Sequence, residues 1–70
     1  MQKNNNMIGE IIKEYREANQ MSQRELAEKC GYKRKTIFNI EHGQTVNSDI
    51  VYALCEIFDC TPNELFGFKI

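Results

Sequence analysis

The sequence has no tryptophan, one proline, one histidine and three cysteines, and each shortage narrows what the chain can be. His42 is the only imidazole, and Cys30, Cys55 and Cys60 show no CxxC spacing. We therefore expect no zinc site, no other metal and no cofactor. The thiols are interpreted as small buried apolar residues that stay reduced.

Long apolar runs are also missing. None approaches the roughly 20 residues of a membrane span, so we expect a soluble protein. The polar start, residues 1–6, lacks the apolar segment of a signal peptide, which predicts a flexible tail and a cytoplasmic location. The rest of the 70 residues suffices for one small domain, residues 7–70.

Little in the chain could build an active site. One histidine, no evident pair of acids and no glycine-rich phosphate loop argue against an enzyme and against a small-molecule site. Charge is more informative, although the net charge is only −1. Residues 22–43 carry five Lys or Arg against three Glu, whereas residues 44–70 carry one Lys against four acids. The positive excess lies in the middle of the chain.

Helix-start signals recur along the sequence. In MSQREL, Ser22 and Glu25 can form a capping box, and in CTPNEL, Thr61 and Glu64 repeat it, with Pro62 at the first helical position. Apolar residues at helical spacing complete the pattern. The sequence predicts an all-α fold of five short helices: about 7–19, from Ser22 to Gly31, about 34–42, from Asn47 or Ser48, and after Thr61.

The second and third predicted helices are joined by only about three residues, Gly31-Tyr32-Lys33. A short turn with a glycine sets two helices at a steep angle, which is the helix-turn-helix unit. MSQRELAEKCG, TIFNIEHG and CTPNELFG together resemble the Cro and phage-repressor (Xre-like) helix-turn-helix family, over about residues 8–66. The resemblance implies a lambda-repressor-like domain and a DNA-binding transcriptional regulator, most often a repressor.

The resemblance also implies which residues contact double-stranded DNA. Those at base-reading positions are Arg34, Lys35 and Asn39, and those at backbone positions are Ser22, Gln23, Lys33 and His42. Helical periodicity separately puts Lys35, Asn39 and His42 opposite Ile37, Ile40 and Glu41. The alternative for the outer residues is an ordinary solvated helix face. Since Glu41 faces inward, it needs a partner, and the resemblance suggests a structural salt bridge with Arg16.

Three features depart from the family pattern. Lys33 stands where a capping Ser or Thr is usual, and the turn at residues 44–47 is about one residue short and has no basic residue. Phe38 stands where a polar residue is commoner. It could contact a thymine methyl, stack under Arg34 or pack beneath the short turn, and we expect packing against protein slightly ahead of contact with DNA.

The weak charge suggests that one copy binds DNA poorly, which favours a homodimer on a near-palindromic operator. Apolar residues crowd the last six positions, so we expect the dimer interface at Phe66, Phe68 and Ile70. The alternative is that Leu65 and Phe66 only close the core. Two rival functions stay open: an antitoxin that binds a toxin and represses its own operon, or a protein-interaction module with little DNA binding.

Overall fold

The computed structural model describes residues 7–66, and in this range the chain forms five α-helices and no strand. They are α1 (Met7–Ala18), α2 (Gln23–Cys30), α3 (Arg34–Glu41), α4 (Ser48–Phe58) and α5 (Pro62–Phe66). The prediction of an all-α fold with five short helices is confirmed. No helix in this range has the length and apolar content needed to cross a membrane. The tail predicted at residues 1–6 lies outside the described residues.

The predicted capping residues begin the helices. At α2 the Glu25 N–H donates to Ser22 Oγ at 3.0 Å, and the Ser22 N–H donates to Glu25 Oε1 at 2.8 Å. Thr61 and Glu64 exchange the same two bonds at α5, at 3.2 and 2.9 Å. Asn47 caps α4 through its side-chain oxygen, which accepts from the Ile50 N–H at 2.9 Å. These bonds satisfy backbone donors that a helix end otherwise leaves open.

The turn between α2 and α3 is fixed by Gly31. Its φ of 80° lies in the left-handed region, where a side chain would be strained. The next N–H, from Tyr32, then donates to the Ala27 carbonyl at 2.9 Å, which ends α2. The chain can therefore enter α3 after only three residues.

The core lies between all five helices. Its fully buried large side chains come from every helix: Ile12, Leu26, Ile37, Ile40, Leu54 and Leu65. Helix α3 packs against α1 and α2, while α4 packs against α2 and α5. One side of α3 is thus packed against other helices, and its opposite side faces the surface.

One close approach was not predicted from the sequence. Gly9 is buried in α1, and a β-carbon there would lie 2.5 Å from the Ile40 carbonyl oxygen and 2.9 Å from that of Glu41. Only a residue without a side chain allows this separation between α1 and the end of α3. Gly9 therefore sets how deeply α3 sits on the core.

The cysteines are free thiols, with Cys55 buried and Cys30 and Cys60 half-buried. Burial, together with a hydrogen bond to Cys55, raises the pKa of Cys60 to about 11, and burial also raises the pKa of Cys30. These two thiols are therefore protonated near neutral pH. Between residues 7 and 66 no three His, Cys, Asp or Glu side chains are grouped so as to hold a metal ion.

Candidate nucleic-acid interface

The outer side of α3 carries the predicted base-reading residues. Arg34 and Lys35 are exposed and Asn39 is half-buried, whereas Ile37 and Ile40 are at most 1% exposed. The orientation that helical periodicity predicted is the one that the structure has. The side chains at these three positions offer N–H donors, and the Asn39 amide also offers an oxygen, which together can match the edges of guanine and adenine.

Lys33 lies just before this face, at the start of α3. Its backbone is extended, with φ −90° and ψ 152°, which is the geometry of a helix cap. No side-chain hydrogen bond caps α3, as the sequence indicated. The Lys33 side chain is exposed, so its ammonium group lies at the surface beside the turn.

Glu41 is the buried anchor of α3. Its side chain is 2% exposed, and Arg16 of α1 donates to it twice, from Nε to Oε2 at 2.7 Å and from Nη2 to Oε1 at 3.2 Å. Arg16 Nη1 also donates to the Met21 carbonyl at 2.9 Å. The hydrogen bond to Glu41 raises the pKa of Arg16, which keeps its guanidinium charged. The structure thus brings together the two side chains that the family resemblance paired.

Gln23 has a role that the sequence did not reveal. Its Nε2 donates to Glu41 Oε1 at 3.1 Å, and its Oε1 accepts from Arg34 Nη1 at 3.4 Å. Because the Glu41 carboxylate can only accept, the amide nitrogen must face it and the amide oxygen must face Arg34. Gln23, which the family resemblance places at a DNA phosphate, therefore also links the buried Arg16–Glu41 pair to Arg34, the first residue of α3.

The start of α2 is the other part of the predicted DNA surface. Ser22 is exposed, and its hydroxyl oxygen and N–H both take part in the capping box with Glu25. The hydroxyl proton is still available to donate to a phosphate oxygen. The helix dipole at this end favours an anion, although the Glu25 carboxylate already supplies one negative charge there.

Phe38 and His42 form a pair on the surface of α3. Their rings stack with centroids 4.0 Å apart and planes 25° from parallel, and His42 Nδ1 lies 2.7 Å from the Phe38 carbonyl oxygen. The Phe38 side chain is 42% exposed. Its ring partner is therefore His42, which is not one of the three surroundings considered for it from the sequence.

Of the predicted dimer residues Phe66, Phe68 and Ile70, the structure describes only Phe66, and the neighbouring Leu65 closes the core. Leu65 is fully buried, and Phe66 is half-buried against the core. Phe66 also lines an apolar groove of about 280 Å³, here called the α4–α5 groove, together with Val46, Asn47, Ser48, Val51, Tyr52 and Pro62. Phe68 and Ile70 lie outside the described residues.

Comparisons with known proteins agree with this geometry. A family model described as helix-turn-helix matches residues 12–65. A protein of Thermococcus kodakarensis with the provisional name HTH-type transcriptional regulatory protein is 44% identical over 52 residues. That match covers 73% of this chain but 16% of the relative, so the chain spans less than a fifth of the relative's length.

Two solved structures are similar over nearly their whole length. The restriction-modification controller protein C.AhdI from Aeromonas hydrophila matches with a TM-score of 0.83 and 30% identity, covering 89% of this chain and 96% of that one. The P22 c2 repressor protein, solved in complex with a synthetic operator, also matches with a TM-score of 0.83, at 25% identity, covering 90% of this chain and 97% of that one.

Proposed function

Because the chain belongs to the helix-turn-helix family, of the Xre and Cro-like type, we propose that it is a sequence-specific DNA-binding transcriptional regulator, acting as a repressor. The family is one of regulators, so the proposal is a binding function without catalysis. A regulator must share a compartment with the DNA, and we place this one in the cytoplasm.

The proposal rests on the way in which α3 is held against the core with its polar side at the surface. Ile37 and Ile40 hold one side of the helix in the core, and the buried Glu41 ties its last turn to α1 through Arg16. The opposite side presents Lys35 and Asn39 on a rigid support. A helix held in this way can enter the major groove without reorganising, and it can read bases with donors that are already in place.

Each base-reading residue has a chemistry that fits a particular base. Arg34 and Lys35 donate, which suits the O6 and N7 of guanine, and the Asn39 amide suits adenine. The Gln23 amide oxygen at 3.4 Å steadies Arg34 from α2. Ser22, Gln23, Lys33 and His42 are proposed to contact the DNA backbone, which fixes the register but carries no sequence information.

A homodimer accounts best for the modest charge of the chain. Few basic residues give few phosphate contacts, so two copies are needed for tight binding at physiological salt. The α4–α5 groove is the proposed interface, because Tyr52 is 67% exposed beside Val51 and Phe66. Phe66 would then serve both core and interface. Two α3 helices would lie about 34 Å apart, one turn of DNA.

The test begins with selection of bound sequences from a random DNA pool at two salt concentrations. Lys35→Ala and Asn39→Ala should each relax the preference at one or two base pairs, at about 1 to 3 kcal/mol. Lys29→Ala is the matched control, since it removes the same charge from the exposed end of α2 and should leave the preference unchanged. Equal weakening on all sequences would mean that Lys35 and Asn39 touch only phosphate.

The rival functions are separate outcomes of the same work. If full-length protein shows no salt-sensitive DNA binding, the chain is a protein-interaction module, for which the uncapped start of α3 would be no handicap. If a co-expressed toxin is neutralised by the protein, the chain is an antitoxin, and its DNA binding would serve to repress its own operon.

A further inference from the structure

Phe38 is the unexplained residue of α3. With Tyr52, it is one of two large apolar side chains exposed within residues 7–66, and it is the one on α3. It does not belong to the core or to the apolar side chains packed against the core. Packing of the core therefore gives no reason for a large aromatic ring at this position.

The position of Phe38 around the axis of α3 indicates that it faces DNA. At about 100° per residue, Phe38 lies about 60° from Lys35 and about 40° from Arg34, so it falls between two proposed base readers. A surface that brings Arg34, Lys35 and Asn39 to base edges must bring Phe38 to the same groove. The ring cannot gain from a phosphate, because it has no hydrogen-bond donor or positive charge.

His42 fixes the ring in place. Stacking holds Phe38 from the C-terminal side with ring centroids 4.0 Å apart, and the short contact from His42 Nδ1 to the Phe38 carbonyl holds the imidazole in turn. Because a carbonyl oxygen can only accept, His42 Nδ1 carries a proton and donates it to the Phe38 carbonyl. The stacking and this hydrogen bond together hold the imidazole against the Phe38 ring.

We propose, as a deepening of the DNA-binding function and resting on it, that Phe38 reads the C5 methyl group of a thymine and that His42 positions its ring. The thymine methyl is the one apolar group that base pairs of ordinary DNA present in the major groove. A ring that already stacks on His42 loses less freedom when it covers that methyl. The operator should therefore hold a thymine at one fixed position in each half-site.

The experiment uses the full chain and the operator obtained by selection. Each thymine is replaced in turn by deoxyuridine, which removes the methyl and keeps the base pair. Wild-type protein should bind about fourfold more weakly when the thymine under Phe38 is replaced, the change expected for one buried methyl group. Replacement of thymines elsewhere should have no such effect.

Variants assign the effect to the ring. Phe38→Ala should lose the distinction between thymine and deoxyuridine, and Phe38→Leu should keep most of it. His42→Ala should reduce the ratio of the two affinities, which is read separately from any general loss of binding through the DNA backbone. Thermal unfolding checks that each variant is folded, and the deoxyuridine scan on wild-type protein needs no variant.

The proposal is overturned if no thymine is sensitive in wild-type protein, or if Phe38→Ala keeps the sensitivity. Sequence-specific binding without any methyl effect would sink this inference alone. Absence of salt-sensitive DNA binding would sink the proposed function, and this inference with it.

Discussion

The buried ion pair between Arg16 and Glu41 allows the sharpest test of how α3 is held. Arg16→Met removes the cation and keeps much of its hydrocarbon volume. The Glu41 carboxylate is then left, within residues 7–66, with one hydrogen bond, from Gln23 Nε2 at 3.1 Å. Its side chain is 2% exposed, so water has little access with which to replace the lost bonds at 2.7 and 3.2 Å.

The size of the loss follows from this burial. Removing one partner of a buried pair costs about 3 to 5 kcal/mol, since the other charge stays behind unpaired. A chain of this length has a free energy of unfolding of roughly 4 to 10 kcal/mol. At about 4 to 8 °C for each kcal/mol in a domain of this size, Tm should fall by at least about 12 °C. The Met21 carbonyl also loses its donor.

A second substitution separates the cost of leaving Glu41 unpaired from the loss of the other contacts around it. In Arg16→Met with Glu41→Leu, no charge is left unpaired, and apolar replacement of a buried pair is often neutral or stabilising. We expect the double variant to recover most of the loss. About 1 kcal/mol should remain lost, because Gln23 Nε2 no longer has its acceptor. A double-mutant cycle gives the coupling energy directly.

Urea and thermal unfolding followed by circular dichroism measure these changes. Arg24→Met is the matched control, because Arg24 and Glu28 form an exposed pair at 4.0 Å with side chains 80% and 72% exposed. That substitution should leave Tm almost unchanged, as is usual for surface pairs. The reasoning is refuted if Arg16→Met melts with the wild type, or if adding Glu41→Leu brings no recovery.

Two further substitutions test the backbone at α1 and α3. Gly9→Ala would be stabilising by helix propensity alone, but its β-carbon would lie 2.5 Å from the Ile40 carbonyl oxygen, so we expect a loss of about 1 to 3 kcal/mol in urea unfolding; a higher urea midpoint would contradict the close approach. Lys33→Ser should add the missing cap to a backbone already in cap geometry and stabilise by about 1 kcal/mol, measured as a rise in Tm. The same variant should bind DNA with a salt dependence that is shallower by about one phosphate contact, and an unchanged slope would remove Lys33 from the interface.

Most of the fold could be predicted from the sequence because its signals are local. The bonds between Ser22 and Glu25 and between Thr61 and Glu64 span three residues, so the chemistry that begins α2 and α5 is legible in MSQREL and CTPNEL. Gly31 likewise ends α2 through its own backbone conformation. The bounds of α1 and α3 were predicted one residue too long, because the last turn of a helix frays into turn hydrogen bonds.

Two features could have been predicted from the local sequence but were not: the stacking of Phe38 on His42 and the close approach at Gly9. Phe38 and His42 are four residues apart, the spacing at which helical side chains meet, so their stacking could have been predicted. Gly9 stands inside a helical pattern, where glycine costs stability and therefore indicates a close approach. The sequence cannot say what approaches it, since Ile40 is 31 positions away along the chain and reaches Gly9 only through packing.

The order of the helices, their caps and the polar side of α3 were determined by the sequence alone, because each depends on residues within one or two turns of one another. Tertiary structure decided how α3 is held: Gly9 sets its depth, and Gln23 joins Glu41 to Arg34. Gln23 and Glu41 are 18 residues apart, and Arg16 and Glu41 are 25 apart. No local pattern orients two side chains over such a separation, because their meeting depends on the packing of whole helices around a shared core.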